Sequence, residues 1–230
     1  MKRIATLGIA VLLALCPVLS CEAAPDDRKE KILLAADILE EIMAIPEKGI
    51  PPSLLDDAAG IAIIPNVIKI GFVIGGRHGT GILLLRGEGG QWSNPSFISL
   101  TGGSLGWQIG AQSTDVILVF KSGRSIDGIV NGKFTLGADA GVAAGPVGRR
   151  GEAATDATLK AEIYSYSRSR GLFAGVSLEG SALQIDDEAN SSYYGRQDIT
   201  GRGVLTGAVG RETPEIAQLK ARLAAYAPNP

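Results

Sequence analysis

The chain has one histidine, His78, and two cysteines, Cys16 and Cys21, both within the first 21 residues. No His/Cys metal cluster and no internal disulfide framework can be assembled from so few ligands. Most metal and nucleophile-plus-base chemistry falls with them, and no cofactor is expected. Basic residues are also short. The formal net charge is −2, and loss of Lys2 and Arg3 with a leader leaves 20 basic against 24 acidic side chains. A globally basic surface, and with it a nucleic-acid partner, is excluded on that balance. What is present is a globular composition, 230 residues of which 45% are hydrophobic, enough to bury a core in one domain.

No apolar run reaches the roughly 20 residues of a spanning helix. Lys2 and Arg3 precede a short apolar stretch from Ile4 to Cys16, which reads as the n-region and h-region of a secretory signal. Two processing readings stand side by side. Val18, Leu19 and Ser20 before Cys21 resemble a lipobox that leaves Cys21 acylated; ordinary cleavage after Ala23 fits as well. The expected layout is a lipoprotein-type signal over 1–20, a tether over 21–26 and a single domain over 27–227, lodged in the cell envelope and facing the periplasm.

Of the 31 glycines, 29 fall between Gly60 and Gly210, and the flanks read as helical. The first helix is expected over Asp27–Ala44: Asp27 and Glu30 have capping-box spacing, Ile32, Ala35, Ala36, Leu39, Ile42 and Met43 form one stripe, and Pro46 ends it. Packing on the core is the preferred role for that stripe. A short helix capped by Ser53 follows Pro52. The last helix starts with Thr213 as cap and Pro214 at its first position. Between the flanks, apolar runs at 61–64, 71–74, 81–85, 97–100 and 116–120 are rich in β-branched residues and bounded by glycine, the mark of strands joined by tight turns. Further strands are expected at 128–136, 161–165, 172–178 and 204–209. The fold class is α+β and predominantly antiparallel β, a glycine-rich barrel or sandwich flanked by N- and C-terminal helices.

Charge is uneven along the chain. Residues 22–60 carry 4 basic and 10 acidic side chains, whereas residues 61–151 carry 8 and 4. The excess in the middle comes from Lys69, Arg77, Arg86, Lys121, Arg124, Lys133, Arg149 and Arg150. Three motifs bear on chemistry. Gly102 to Gly106 matches a nucleophile elbow around Ser104, but the only histidine lies upstream and no helix is expected next, so a structural glycine turn is the better reading. Gly75 to Gly81 is a glycine-rich loop lying between strands rather than opening a helix, so a hairpin turn is expected there, with anion contact by Arg77 and His78 as the minority option. Asp186 to Asn190 reads as a solvated acidic turn, because Ser191 and Gln197 stand where a calcium loop needs glycine and a bidentate acid.

Several stretches together resemble the SYLF domain family: Ala59 to Val67 with Lys69, Gly71 and Phe72; Gly75, Gly76, Gly79 and Gly81; Trp92 to Ile98; Gly106 to Gln112; Gly137 to Asp139; Ala144 to Gly148; Tyr164 to Arg168; and Gly171 to Gly180, ending at Asn190 and Tyr193 to Gly195. The likeness covers about residues 30–210. It implies a non-enzymatic lipid-binding module; eukaryotic members bind phosphoinositides and some bind actin, while bacterial members look exported. The chain departs from that pattern where its first helix turns acidic. It also lacks the appended adaptor modules, so actin is expected to be an improbable partner. The expected function is binding of acidic phospholipid or phosphoinositide headgroups through Lys69, Arg77, His78, Lys133, Arg149 and Arg150, with Cys21 as the lipidation site and His78 as a pH-sensitive contributor. An envelope protein-protein scaffold is the alternative.

Overall fold

The structure, a computed structural model, describes residues 25–45, 49–145, 161–169, 172–175 and 178–227. The chain folds as α1 (Pro25–Met43), α2 (Pro52–Asp56), β1 (Gly60–Leu85), β2 (Ser96–Phe120), α3 (Gly123–Val130), β3 (Phe134–Thr135), β4 (Val142–Ala144), β5 (Ile163–Ser169), β6 (Leu172–Gly175), β7 (Ser181–Ile185), α4 (Asp187–Tyr194), α5 (Gly201–Leu205) and α6 (Pro214–Tyr226). It is α+β, with a curled, mostly antiparallel half-barrel sheet between N- and C-terminal helices, as the sequence predicts. The seven strands form one sheet in the order β3-β7-β2-β5-β4, with β1 on β2 and β6 on β5.

β2 is the spine of that sheet. β1 pairs with it from Gly60↔Phe120 to Leu83↔Ser96, while on its other side β7 takes residues 98–102 and β5 takes residues 115–120. Among the described residues the middle of β1 and β2 is therefore a two-stranded ribbon. β1 also doubles back on itself. A Cβ at Gly81 would lie 2.3 Å from the Ile63 carbonyl oxygen, one at Gly79 would lie 2.8 Å from Val67 Cγ2, and one at Gly60 would lie 2.8 Å from the Leu84 carbonyl oxygen. The N–H of Arg86 closes the seam by donating to the Ala59 carbonyl at 2.9 Å. Glycine is required by close approach of backbone at Gly60 and Gly81 and of the Val67 and Ile64 side chains at Gly79.

Alternation along the strands explains why their apolar runs are nearly continuous. Ile61, Ile63, Ile82, Leu84, Ile117 and Val119 face the core that α1, α2 and α6 cover. Ala62, Ile64, Leu83, Val116, Leu118 and Phe120 face a second core, closed by Ile126 and Ile129 of α3 and Leu205 of α5. A strand buried on both faces loses the apolar-polar alternation of a half-exposed one. Ile32, Ala35, Ala36, Ile38, Leu39 and Ile42 of α1 are fully buried, each large side chain contributing about 1.5–3 kcal/mol.

Several expected boundaries differ. The five runs between residues 61 and 120 are parts of only two strands, because their glycines sit at the seam or within the ladder rather than in turns. Gly75 to Gly81 and Gly102 to Gly106 are thus extended backbone, with Gly75 paired to Ser104 and Arg77 to Gly102. Most of 128–136 is the end of α3 and its turn, and 204–205 closes α5. The acidic turn at 186–190 is instead a helix start: the Asp186 carboxylate accepts from the Ala189 N–H at 2.9 Å. Asn190 is buried there, accepting from the Phe97 N–H at 2.9 Å and donating to Ser96 Oγ at 3.1 Å. Asp27 and Ser53 lie inside α1 and α2, not at their caps.

Replacement of Gly81 by alanine is expected to lower unfolding free energy by about 1–3 kcal/mol, read as a reduced urea midpoint. Gly89→Ala, where a Cβ meets nothing within 4 Å, serves as the control; equal midpoints for the two variants would count against the seam.

Candidate functional site

The ribbon leaves the sheet at a bulge. Register shifts between Ile64 and Val67, and Asn66 takes φ 51°, a left-handed conformation that asparagine tolerates better than most residues. The Asp115 carboxylate accepts the Asn66 N–H at 3.0 Å and both guanidinium donors of Arg168 at 2.7 and 3.0 Å. Burial pushes the Asp115 carboxyl above its ordinary value, against the opposing pull of the Asn66 N–H. Arg168 also pairs with Glu41 of α1. Arg222 of α6 holds Asp37 at 2.7 Å and Glu40 at 3.0 Å. The acidic second half of α1 is thus neutralised by the protein's own cations, while its apolar stripe is core.

The bulge resets which side chains face which way. Counting from Ile82 and from Val67, alternation sends Ile68, Ile70, His78 and Thr80 to the side of the sheet that carries α1, and Lys69 and Arg77 to the other. Exposure agrees: Ile68 is 47% and Ile70 61% exposed, and His78 is exposed, whereas Lys69 and Arg77 are partly covered. Lys69 and Arg77 each lie two residues beyond the Val67–Gly79 contact, and alternation sets both on the same face of the ribbon. Desolvation by burial lowers the pKa of Arg77, whose guanidinium remains charged at neutral pH.

The remaining expected cations are placed differently. His78 is on the opposite ribbon face from Lys69 and Arg77. Lys133 is exposed in the turn before β3; its neighbour Phe134 aligns through Leu183 and Leu100 with Gly79, three strand spacings or about 14 Å away. Arg149, Arg150 and Cys21 lie outside the described residues. Ser104 stands in mid-strand rather than on a strand-to-helix elbow. Among the described residues no group of three or more His, Cys, Asp or Glu side chains could hold a metal ion, and no helix is long and apolar enough to cross a membrane.

On the α1 side, a groove of 340 Å³ runs between the first turns of α1 and the ribbon, bounded by Asp27, Glu30 and Leu34 on the helix and by Pro65, Ile68 and His78 on the ribbon. Lys31 Nζ donates to Thr80 Oγ1 at 2.6 Å across its end. Neither the exposed isoleucines nor this groove was foreseen from sequence. The alternation of Ile68, Lys69 and Ile70 carried the signal, since one face of that stretch must leave the cationic side.

Comparison with known proteins bears on this fold. The Ysc84 family, described as "Las17-binding protein actin regulator", matches residues 101–226, more than half of the chain. The chain belongs to the Ysc84 family. That is the SYLF family of the sequence resemblance. It is 40% identical over 195 residues to SH3 domain-containing YSC84-like protein 1 of Xenopus laevis, covering 82% of this chain and 58% of that protein. It is 36% identical over 197 residues to LAS seventeen-binding protein 3 of Saccharomyces cerevisiae, covering 84% of this chain and 42% of that protein. Protein YSC84 of the same yeast is 41% identical over 166 residues, 71% of this chain and 35% of its own length. The chain therefore spans from about a third to just over half of these Ysc84 relatives. The expectation that actin is an improbable partner is corrected by these findings: actin regulation is in the family's own description, and its named members are Las17-binding and SH3-containing proteins.

Loss of the clasp on α1 is the local test. Arg222→Ala is expected to speed hydrogen exchange of the α1 amides while changing global stability by less than about 1 kcal/mol, since its partners Asp37 and Glu40 are largely exposed. Unchanged exchange in α1 would show that the apolar stripe alone holds the helix.

Proposed function

We propose that the chain is a non-catalytic binding module of the Ysc84 type, and that its ribbon contacts acidic phospholipid surfaces. What supports this reading is the placing of Lys69 and Arg77 by strand alternation on one ribbon face, with the exposed Ile68 and Ile70 on the other. Each cation held near an anionic bilayer contributes about 1 kcal/mol, and an isoleucine fully removed from water adds about 1.5–3 kcal/mol. A contact of this size is weak and reversible, as suits a module that works alongside other attachments. Lys133, Arg149 and Arg150 belong to the same cationic stretch of sequence.

A protein contact is the second reading, favoured by relatives whose names state Las17 binding. In it the ribbon docks on a component of an actin-regulatory assembly, and the lipid contact is secondary.

Co-sedimentation with vesicles of phosphatidylserine and phosphatidylcholine tests the first reading. Binding is expected to rise with the anionic fraction, to fall with added salt, and to drop about tenfold in Lys69→Glu. Equal partitioning onto neutral and anionic vesicles would overturn it, and salt-insensitive pelleting with filamentous actin alone would favour the second.

A further inference from the structure

We infer that the groove between α1 and the ribbon is a docking site for a basic, partly apolar extended peptide of a partner protein. This goes beyond the lipid reading, and of the two ribbon faces it uses the one that carries Ile68 and Ile70, without Lys69 and Arg77.

The ribbon wall of the groove combines apolar Pro65 and Ile68 with Asn66, His78 and Thr80, and Leu34 of α1 adds an apolar side chain to the helix wall. Ile68 and Leu34 face it above the buried Pro65, and Ile70 continues the same ribbon face beyond Ile68. Among the described residues, Ile68 and Ile70 are the large hydrophobic side chains left exposed. Two adjacent exposed isoleucines on a protruding ribbon are a surface awaiting cover.

The near wall is acidic. Asp27 and Glu30 stand three residues apart on α1, hence on one face of the helix, and both line the groove. They differ from the other acids of α1: Asp37, Glu40 and Glu41 are held by Arg222 and Arg168, whereas Asp27 and Glu30 pair with no described residue. The basic residues on the groove are Lys31, whose ammonium is engaged by Thr80, and His78. Beyond the Lys31–Thr80 bridge a second recess of 250 Å³ shares Asp27 and Lys31 and reaches Phe97 and Asp186; Arg28 also lines it, its guanidinium donating to Ser192 Oγ at 2.6 Å. The two recesses adjoin at Asp27, Lys31 and Thr80 and form an open trough rather than a closed cavity.

Charge complementarity selects the occupant. An acidic lipid or peptide would set its anions against Asp27 and Glu30, whereas lysine or arginine side chains meet unpaired carboxylates there and an apolar neighbour covers Ile68. The specificity comes from like-charge exclusion as much as from attraction.

The probe is a fluorescein-labelled peptide alternating lysine with leucine, titrated against the full chain by fluorescence anisotropy, beside a counterpart with glutamate for lysine. The basic peptide is expected to bind and the acidic one not. The double variant Asp27→Lys, Glu30→Lys should weaken binding about tenfold or more, as should Ile68→Ser. Both carboxylates are exposed, and circular dichroism of each variant checks that the fold is retained. Lys69→Glu, on the other face, should leave peptide binding unchanged while reducing vesicle binding, so failure of one reading is separable from failure of the other. Equal binding of both peptides, or an undiminished affinity in the double charge reversal, would overturn the inference. So would a concentration-dependent dimer abolished by Ile68→Ser, because the groove would then belong to a second copy of this chain.

Discussion

The contact on which the fold depends is that of β1 with itself. Backbone comes up to backbone at Gly60 and Gly81, and Gly79 admits the Val67 and Ile64 side chains between them, and this lets one long hairpin fill the positions of several strands. Because β2 follows β1 residue by residue, the fold-over is transmitted to the whole sheet. β7 and β5 then attach to opposite ends of the same spine. Both cores follow from it: one face of the doubled hairpin receives α1 and α6, the other α3 and α5.

The same fold-over makes the candidate surface. Beyond the last seam contact the hairpin runs on with no third strand among the described residues, and the bulge at Asn66 decides which of its side chains face which way. Asp115 links that bulge to Arg168, and Arg168 reaches Glu41 of α1. The seating of the first helix and the direction of the ribbon are therefore set by one chain of charge-assisted hydrogen bonds, each stronger than a neutral one. Membership of the Ysc84 family, described as an actin regulator, fits a molecule whose distinctive parts are surfaces.

How much of this could be read beforehand varied with the physics involved. The stripe of α1 was legible because Ile32, Ala35, Leu39 and Ile42 repeat with helical spacing and are buried for that reason. The apolar runs were legible as strands, but not as two strands only, since glycines at a backbone seam look like glycines in a turn. α4 was hidden because Asn190, Ser191 and Ser192 are poor helix formers; it is held by the cap at Asp186 and by the hydrogen bonds of Asn190 to the start of β2. The identity of the cations was plain, but their grouping was not. A one-residue bulge exchanges the two faces of everything after it, which takes Lys69 off the face of Ile61 and Ile63, and strand alternation then sets His78 on the face opposite to its neighbour Arg77.

Arg86 ties together parts of the chain that lie far apart in sequence. Its guanidinium donates to the carbonyls of Leu55 and Asp56 at the end of α2, to Gly90 in the β1–β2 turn, and to Ala227 just after α6, while it stacks 5.5 Å from the centroid of Trp92. The closing residue of α6 is thereby moored to the same side chain as the second helix and the hairpin turn, so that the two ends of the domain share a single knot.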